Sequence, residues 1–161
     1  MSTRVYVPTT MTGLREVVRA NGVGPPPFLA HAVTDELRAE LPDAGEEEWE
    51  YAAASAAALS SVGLVRDGDP ARRVVLAVDV PDARRVPDED VTLVEVEQGV
   101  PFPRIAAVLA DSEDAEADVA AARDAEREGS PEAARLLERC LDHELGWWAT
   151  QEVTDLLGRS G

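Results

Sequence analysis

The sequence predicts an α+β or α/β fold in which helices cover one face of a mixed β-sheet, giving two layers. Three observations favour it: residues 46–65 have helical periodicity, residues 73–80 form a nearly continuous apolar run typical of a buried strand, and shorter strand-like and helix-like segments alternate around them. At 161 residues the chain is long enough to bury a core. We therefore expect a single domain, 1–161, with an acidic helical pair at 112–145 packed on the core or projecting from it.

The helix at 46–65 is the clearest element. Trp49, Ala53 and Ala56 recur at helical spacing and share one face, while Glu46 begins a run of carboxylates in the first turn, where the positive end of the helix dipole stabilises them. The opposite face carries alanine and serine. Because small residues surround this helix, it can pack closely against neighbours on several sides, as a central helix must.

Two strand–helix units precede this helix. The first is a strand at 4–7 followed by a helix at 14–20, and the second is a strand at 28–33 followed by a helix at 35–41. Threonine precedes each helix and offers a hydroxyl to cap the first turn; Thr34 does so for the second.

Two strands and two helices are predicted between residues 91 and 145, and a last strand-to-helix unit follows at 147–157. Residues 91–97 alternate apolar and polar side chains and residues 105–110 are apolar, so an antiparallel hairpin is the simplest arrangement. The helix at 115–128 has Val119 as its only large apolar residue, which predicts weak packing. The helix that starts at Pro131 has a proper apolar stripe.

The composition excludes some classes of partner. The formal net charge is −17, and all fifteen basic side chains are arginine. Such a surface repels phosphates, so we expect binding neither to nucleic acid nor to anionic membranes. Abundant alanine, valine, arginine, aspartate and glycine indicate a GC-rich coding sequence, with salt adaptation as the other explanation for the acidity.

The cysteine and the hydropathy pattern bear on location. Cys140 is the single cysteine, so no internal disulfide forms, and its apolar neighbours predict a buried, inert thiol. No apolar run approaches the roughly 20 residues of a membrane span, and the first residues lack the apolar region of a signal peptide. We expect a soluble, cytoplasmic protein.

No established catalytic motif is present. Gly22 and Gly24 are followed by prolines, which lack the amide groups that a phosphate loop needs, and neither a nucleophile elbow nor a zinc-protease motif occurs. His31 and His143 are far apart in sequence, and the carboxylates next to His143 point in different directions on a helix. We assign no metal site, and the cofactor is unknown.

Four carboxylates are the candidates for chemistry. Asp79 interrupts the buried strand at 73–80, and Asp111 follows the apolar strand at 105–110. If both strands ended at the same edge of the sheet, the two carboxylates would converge there as acid–base groups or Mg²⁺ ligands, with Glu95 or Glu152 as further members. The competing interpretation is that each carboxylate lies at a strand end and faces solvent.

Aromatic residues are the candidates for binding. Consecutive residues of a strand face opposite sides, so one ring of Trp147 and Trp148 faces the core and the other faces out, where it can anchor a partner. Tyr6, Trp49 and Tyr51 are candidates to line an aromatic pocket with them. In the competing interpretation both tryptophan rings cover the surface beneath a helix.

Five short blocks carry a resemblance to known sequences. They are RVYVPTT at the start, EEEWEYAAASAA in the central helix, VVLAVDVP in the strand after it, VPFPRIAAVLAD in the proposed hairpin, and WWATQEVTDLL near the end. In this order they are similar to a family of small, uncharacterised actinobacterial proteins, a domain of unknown function. The resemblance implies no activity and no catalytic residues, but it favours the GC-rich explanation of the missing lysine.

Two functional hypotheses follow. The first, which we favour, is a non-catalytic protein that binds a partner with a basic surface through its exposed aromatic end or its acidic helices. The second is a small enzyme or ligand-binding domain with a carboxylate site at the strand ends. Mimicry of nucleic acid follows from charge alone and ranks last. The oligomeric state is not predicted.

Overall fold

In the computed structural model, which describes residues 2–159, the predicted central helix and the strand after it are both present. The strands are β1 Thr3–Thr9, β2 Gly22–Val23, β3 Phe28–Ala32, β4 Val74–Val80, β5 Arg84–Arg85, β6 Leu93–Val96, β7 Val100–Pro101, β8 Ile105–Ala110 and β9 Gly146–Trp148. The helices are α1 Met11–Ala20, α2 Asp35–Glu40, α3 Glu46–Leu64, α4 Glu116–Glu128, α5 Ala133–Cys140 and α6 Val153–Arg159.

Seven of these strands form one sheet in the order β5-β6-β3-β1-β4-β8-β9, and β2 pairs with β7 in a separate ribbon. The α+β class is confirmed. The prediction of a mixed sheet is wrong, because every pairing in the described part of the chain is antiparallel. Helices α2 and α3 connect two strands that run in the same direction, β3 and β4, but β1 lies between these strands and pairs antiparallel with both.

The predicted hairpin between the two strands after residue 90 is also wrong. Strand β6 pairs with β3 and β5, whereas β8 pairs with β4 and β9. Three strands therefore separate β6 from β8 in the sheet. The physical reason is the connection between them: its Val100–Pro101 segment pairs with β2 and so does not form a tight turn.

Helices cover both faces of the sheet, so the expectation of two layers with helices on one face is wrong. On one face, Met11 and Leu14 of α1 and Val153 and Leu156 of α6 pack on the strands. On the other face α3 packs its alanines on alternate strand residues, among them Tyr6. The alternation of side chains along each strand directs neighbouring residues to opposite faces, and both faces of β4 are buried.

Ser61 fixes the position of α3 on the sheet. Its fully buried hydroxyl donates to the carbonyl oxygen of Thr9 at 2.6 Å and accepts from the backbone N–H of Val74 at 3.0 Å. This one side chain therefore links the helix to the end of β1 and the start of β4. The predicted threonine caps are present: Thr34 accepts from the N–H of Leu37, and the equivalent residue for α1 is Thr10.

The acidic helical pair packs on the end of α3. Val119 and Ala122 of α4 are fully buried against Val62, in a cluster that also contains Cys140. The expectation that α4 packs weakly is therefore wrong, because alanines that face α3 allow close approach without large side chains. Cys140 is buried as predicted, and burial raises the pKa of its thiol.

None of the described helices is both long enough and apolar enough to cross a membrane.

Candidate functional site

The outer part of the sheet face next to α3 forms an open cleft. Tyr51 of α3 and Trp147 of β9 stand at its sides, and Leu109 of β8 lies between them. A cavity of about 360 Å³ contacts all three residues, and a neighbouring cavity of about 270 Å³ extends past Leu109 to Leu145. We call this surface, lined by Tyr51, Leu109, Leu145 and Trp147, the aromatic cleft.

The two aromatic side chains of the cleft, Tyr51 and Trp147, are unusually exposed for residues of their type. Tyr51 is 70% exposed and Trp147 is 65% exposed. Trp147 lies on β9, the edge strand of the sheet, and pairs with Leu109 of β8. Large aromatic surfaces that remain in water in the isolated chain are characteristic of sites that bind a partner.

The neighbouring tryptophan faces the opposite side of the sheet. Trp148 is half-buried and packs against the core that α1 and α6 cover. The predicted alternation, with one ring of the Trp147–Trp148 pair facing the core and the other facing out, is therefore present. Trp148 is not part of the aromatic cleft.

The other predicted aromatic residues separate into two groups. Tyr6 lines the cleft with Tyr51, but it is buried, with only 8% of its surface exposed. Burial, followed by the charge of Glu50, raises the pKa of its phenol. Trp49 lies elsewhere. Its Nε1 donates to the carbonyl oxygen of Leu41 at 3.0 Å, and the guanidinium of Arg38 lies 5.4 Å from its ring centre.

The charged groups around the cleft leave an acidic rim. Glu47 and Glu50 line one end and Glu144 the other, and within residues 2–159 none of these three takes part in a salt bridge. The arginines that reach the cleft are both paired: Arg4 with Asp79 at 2.7 Å and Arg73 with Asp111 at 2.8 Å. The unpaired charge at the rim is therefore negative.

The predicted carboxylate site does not assemble. Asp111 lies opposite Arg73 at the start of β4, whereas Asp79 lies near the end of that strand. Asp79 follows Arg73 by six positions, which at about 3.3 Å per residue is roughly 20 Å. The condition that both strands end at the same edge fails because β4 and β8 are antiparallel.

The remaining candidate carboxylates also have local partners. Glu152 accepts from the backbone N–H of Ala149 at 2.9 Å and so caps the turn before α6. Glu95 pairs with Arg84 at 3.1 Å on β6, near the edge of the sheet opposite β9. Within the described chain, no group of three or more His, Cys, Asp and Glu side chains is arranged to hold a metal ion.

A chain of hydrogen bonds around His31 is the feature that the sequence did not predict. Its Nδ1 lies 2.7 Å from the Thr92 hydroxyl and its Nε2 lies 2.9 Å from the Ser60 hydroxyl. The Thr92 hydroxyl in turn lies 2.9 Å from the Asp90 carboxylate. The one local signal is the spacing of Asp90 and Thr92, which suits a turn in which the side chain of the first residue bonds the second.

Comparison with known proteins supplies the family. A model of a family of unknown function, DUF6912, matches residues 3–157. The chain belongs to DUF6912. This membership confirms the resemblance to a domain of unknown function. The matched residues include those of the aromatic cleft and those of the hydrogen bonds around His31. No curated protein and no solved structure matches the chain.

Proposed function

We propose that this protein is a non-catalytic binding module that holds a protein partner in the aromatic cleft. The observation that carries the proposal is the exposure of Tyr51 and Trp147 on the two sides of one apolar cleft. Tryptophan and tyrosine are the residues that most often dominate binding energy at protein interfaces. Covering both rings together with Leu109 would bury a continuous apolar surface, which favours association.

The proposed partner has a basic surface around an apolar or aromatic anchor. The anchor packs on Leu109 between the two exposed rings, and cationic side chains beside it meet the acidic rim of Glu47, Glu50 and Glu144. The net charge of −17 accelerates the approach of such a partner and disfavours acidic competitors. The same field argues against nucleic acid and anionic membranes as partners.

The edge of the sheet offers a second type of contact. Strand β9 ends the seven-stranded sheet, and an extended partner segment beside it would continue the ladder of backbone hydrogen bonds. Trp147 lies on that strand, so ladder contacts and insertion of the anchor would occur together. We place this binding in the cytoplasm, because the single cysteine is buried and there is no disulfide to require an oxidising compartment.

A peptide array tests the proposal. It presents peptides of equal length in three classes: basic with an aromatic residue, basic without one, and acidic with one. Binding of the purified protein is measured by fluorescence anisotropy. We expect the first class to bind best, and the variant Trp147→Ala to bind it about tenfold more weakly or worse, as for a hot-spot residue.

Two matched variants make the array decisive. Leu29→Ala removes another exposed apolar side chain, 50% exposed, which lies outside the cleft, and it should leave binding unchanged. The double variant Glu47→Gln, Glu50→Gln should slow association and reduce its dependence on salt. Equal binding of all three peptide classes, or equal binding by the wild type and Trp147→Ala, would contradict the proposal.

A further inference from the structure

We infer that Ser60 is a reactive serine, a nucleophile toward activated carboxylic esters, because His31, Thr92 and Asp90 form a hydrogen-bonded relay behind its hydroxyl. This goes beyond the proposed binding function and does not depend on it. Ser60 follows Tyr51 by nine positions in α3, which at 3.6 residues per turn places it about 180° away around the helix. The reactive serine and the aromatic cleft therefore lie on different sides of α3.

The hydrogen-bond directions in the relay are fixed from its acidic end. Burial alone would raise the pKa of Asp90, but hydrogen bonds from the Thr92 backbone N–H and hydroxyl more than offset this, so its pKa lies below the usual range. An ionised carboxylate has no proton to donate. The Thr92 hydroxyl therefore gives its single proton to Asp90, at 2.9 Å.

The direction of the Thr92 hydroxyl determines the tautomer of His31. With its proton directed to Asp90, the Thr92 oxygen can only accept at its other contact, so His31 carries its proton on Nδ1, 2.7 Å away. Nε2 of the neutral ring is then a bare acceptor. It lies 2.9 Å from the Ser60 oxygen, so the Ser60 hydroxyl donates to it.

This arrangement is that of a nucleophile with its general base and positioning groups. His31 is 4% exposed and burial lowers its pKa, so the ring is neutral and able to accept a proton near neutral pH. Thr92 is 3% exposed and holds the ring in one orientation, with Asp90 behind it. Ser60 itself is exposed on α3, so an ester reaches it directly from solvent.

The proposed step transfers the acyl group of an ester to Ser60. The Ser60 oxygen forms a bond to the carbonyl carbon as its proton moves to His31 Nε2, and the carbon–oxygen bond to the leaving alcohol breaks with its electron pair on that oxygen. The proton then passes from His31 to the leaving group or to water. The products are an O-acylated Ser60 and the free alcohol, with no change of oxidation state.

The test uses p-nitrophenyl acetate as the activated ester and the full-length protein. Released p-nitrophenolate gives the rate, and peptide mass spectrometry locates the acetyl group. We expect acetylation of Ser60 to exceed that of Ser55, a control serine on the same helix, and to fall about a hundredfold in His31→Gln, the usual contribution of a general base. Ser60→Ala should reduce the rate of p-nitrophenolate release at least as much as His31→Gln does.

The role of Thr92 in the relay is tested by the rate of acetylation and its dependence on pH. Thr92→Val leaves nucleophile and base in place but removes the group that fixes the ring, so the rate should fall and its dependence on pH should change. Thr92→Ser, which keeps the hydroxyl, should restore both. Equal acetylation of Ser60 and Ser55, or a rate unaffected by His31→Gln, would overturn the inference.

A measurement on the unmodified protein covers the case in which these variants fold poorly. The nitrogen-15 chemical shifts of the two histidine rings, assigned with a His143→Gln variant, report which nitrogen carries the proton. The inference requires His31 to be protonated on Nδ1. Protonation on Nε2 would place the proton between His31 and Ser60, remove the base, and overturn the inference.

Discussion

Arg73 and Asp111 form a salt bridge that is almost completely removed from solvent, their side chains being 2% and 0% exposed. Two guanidinium nitrogens bond the two carboxylate oxygens at 2.8 Å, and the Arg73 backbone N–H donates to the same carboxylate at 2.8 Å. Arg73 also donates to the carbonyl oxygen of His143 at 2.8 Å. The pair therefore links the start of β4, the end of β8 and the turn after α5.

Replacing Asp111 with asparagine should lower the free energy of unfolding by about 3–5 kcal/mol, because it leaves the buried Arg73 charge without its counter-ion. Urea denaturation followed by circular dichroism measures this loss. A site of converging, mutually repelling carboxylates would give the opposite sign, since neutralising one of them would stabilise the protein. A gain in stability would therefore contradict the pairing described here.

Replacing Asp79 with asparagine provides the matched comparison. Its salt bridge with Arg4 is solvent-exposed, with side chains that are 38% and 41% exposed, so the variant should lose no more than about 1 kcal/mol. The hydrogen bond from Arg4 holds the pKa of Asp79 below its usual value. Its small contribution is therefore present above the unfolded-state pKa and is lost as the pH falls through the folded-state pKa. Equal losses for Asp79→Asn and Asp111→Asn would be inconsistent with their different burial.

Local patterns are sufficient to predict the longer elements, but neither the short strands β2, β5 and β7 nor the pairing of the strands. The periodicity of α3, the apolar run of β4 and the Thr34 cap are properties of short segments, and each is present. Strand order is set by contacts between distant segments. The insertion of β1 between β3 and β4 made the sheet antiparallel, and the pairing of β2 with β7 prevented the hairpin.

The candidate site is likewise only partly predictable from local sequence patterns. Alternation along a strand predicts that Trp147 and Trp148 face opposite sides, but nothing local predicts that Trp147 lines a cleft with Tyr51 of α3. The relay is even harder to predict from the sequence, because His31 lies 29 positions from Ser60 and 61 from Thr92. Asp79 and Asp111 both lie at the ends of predicted strands, and their different partners depend on the direction of those strands.

The two tryptophans should differ sharply in their contribution to stability. Trp147→Ala removes a ring that is 65% exposed and should cost less than about 1 kcal/mol, in the range of surface substitutions. Trp148→Ala removes a ring that packs on the main core and should cost at least about 2 kcal/mol. Thermal and urea unfolding of both variants measure the difference. A large loss for Trp147→Ala would indicate that its ring serves the fold and is not held free for a partner.

The protonation of His31 should make stability depend on pH in a defined direction. Burial lowers the folded-state pKa of His31, with the charge of Asp90 opposing this, so the unfolded chain binds a proton at a higher pH than the folded protein does. The free energy of unfolding should therefore fall as the pH drops below the unfolded-state pKa of about 6.5, by at most about 1.4 kcal/mol per pH unit, and level off below the folded-state pKa. Most carboxylates stay ionised between about pH 5 and 8, so they contribute little to the change in that range.

The decisive measurement is the difference in unfolding free energy between the wild type and His31→Gln across that range. The difference should shrink as the pH falls, because the variant lacks the group whose protonation favours unfolding. His143→Gln is the matched control, since His143 pairs with the half-buried Asp118 of α4 and the hydrogen bonds around His31 are left intact. A difference that is constant with pH would mean that His31 binds its proton as readily in the folded protein as in the unfolded chain, and a difference that grows as the pH falls would mean that the folded protein binds it more readily. Either result would contradict a folded-state pKa lowered by burial. Only a difference that grows as the pH falls would favour the charged ring near neutral pH, where Nε2 could not accept the Ser60 proton.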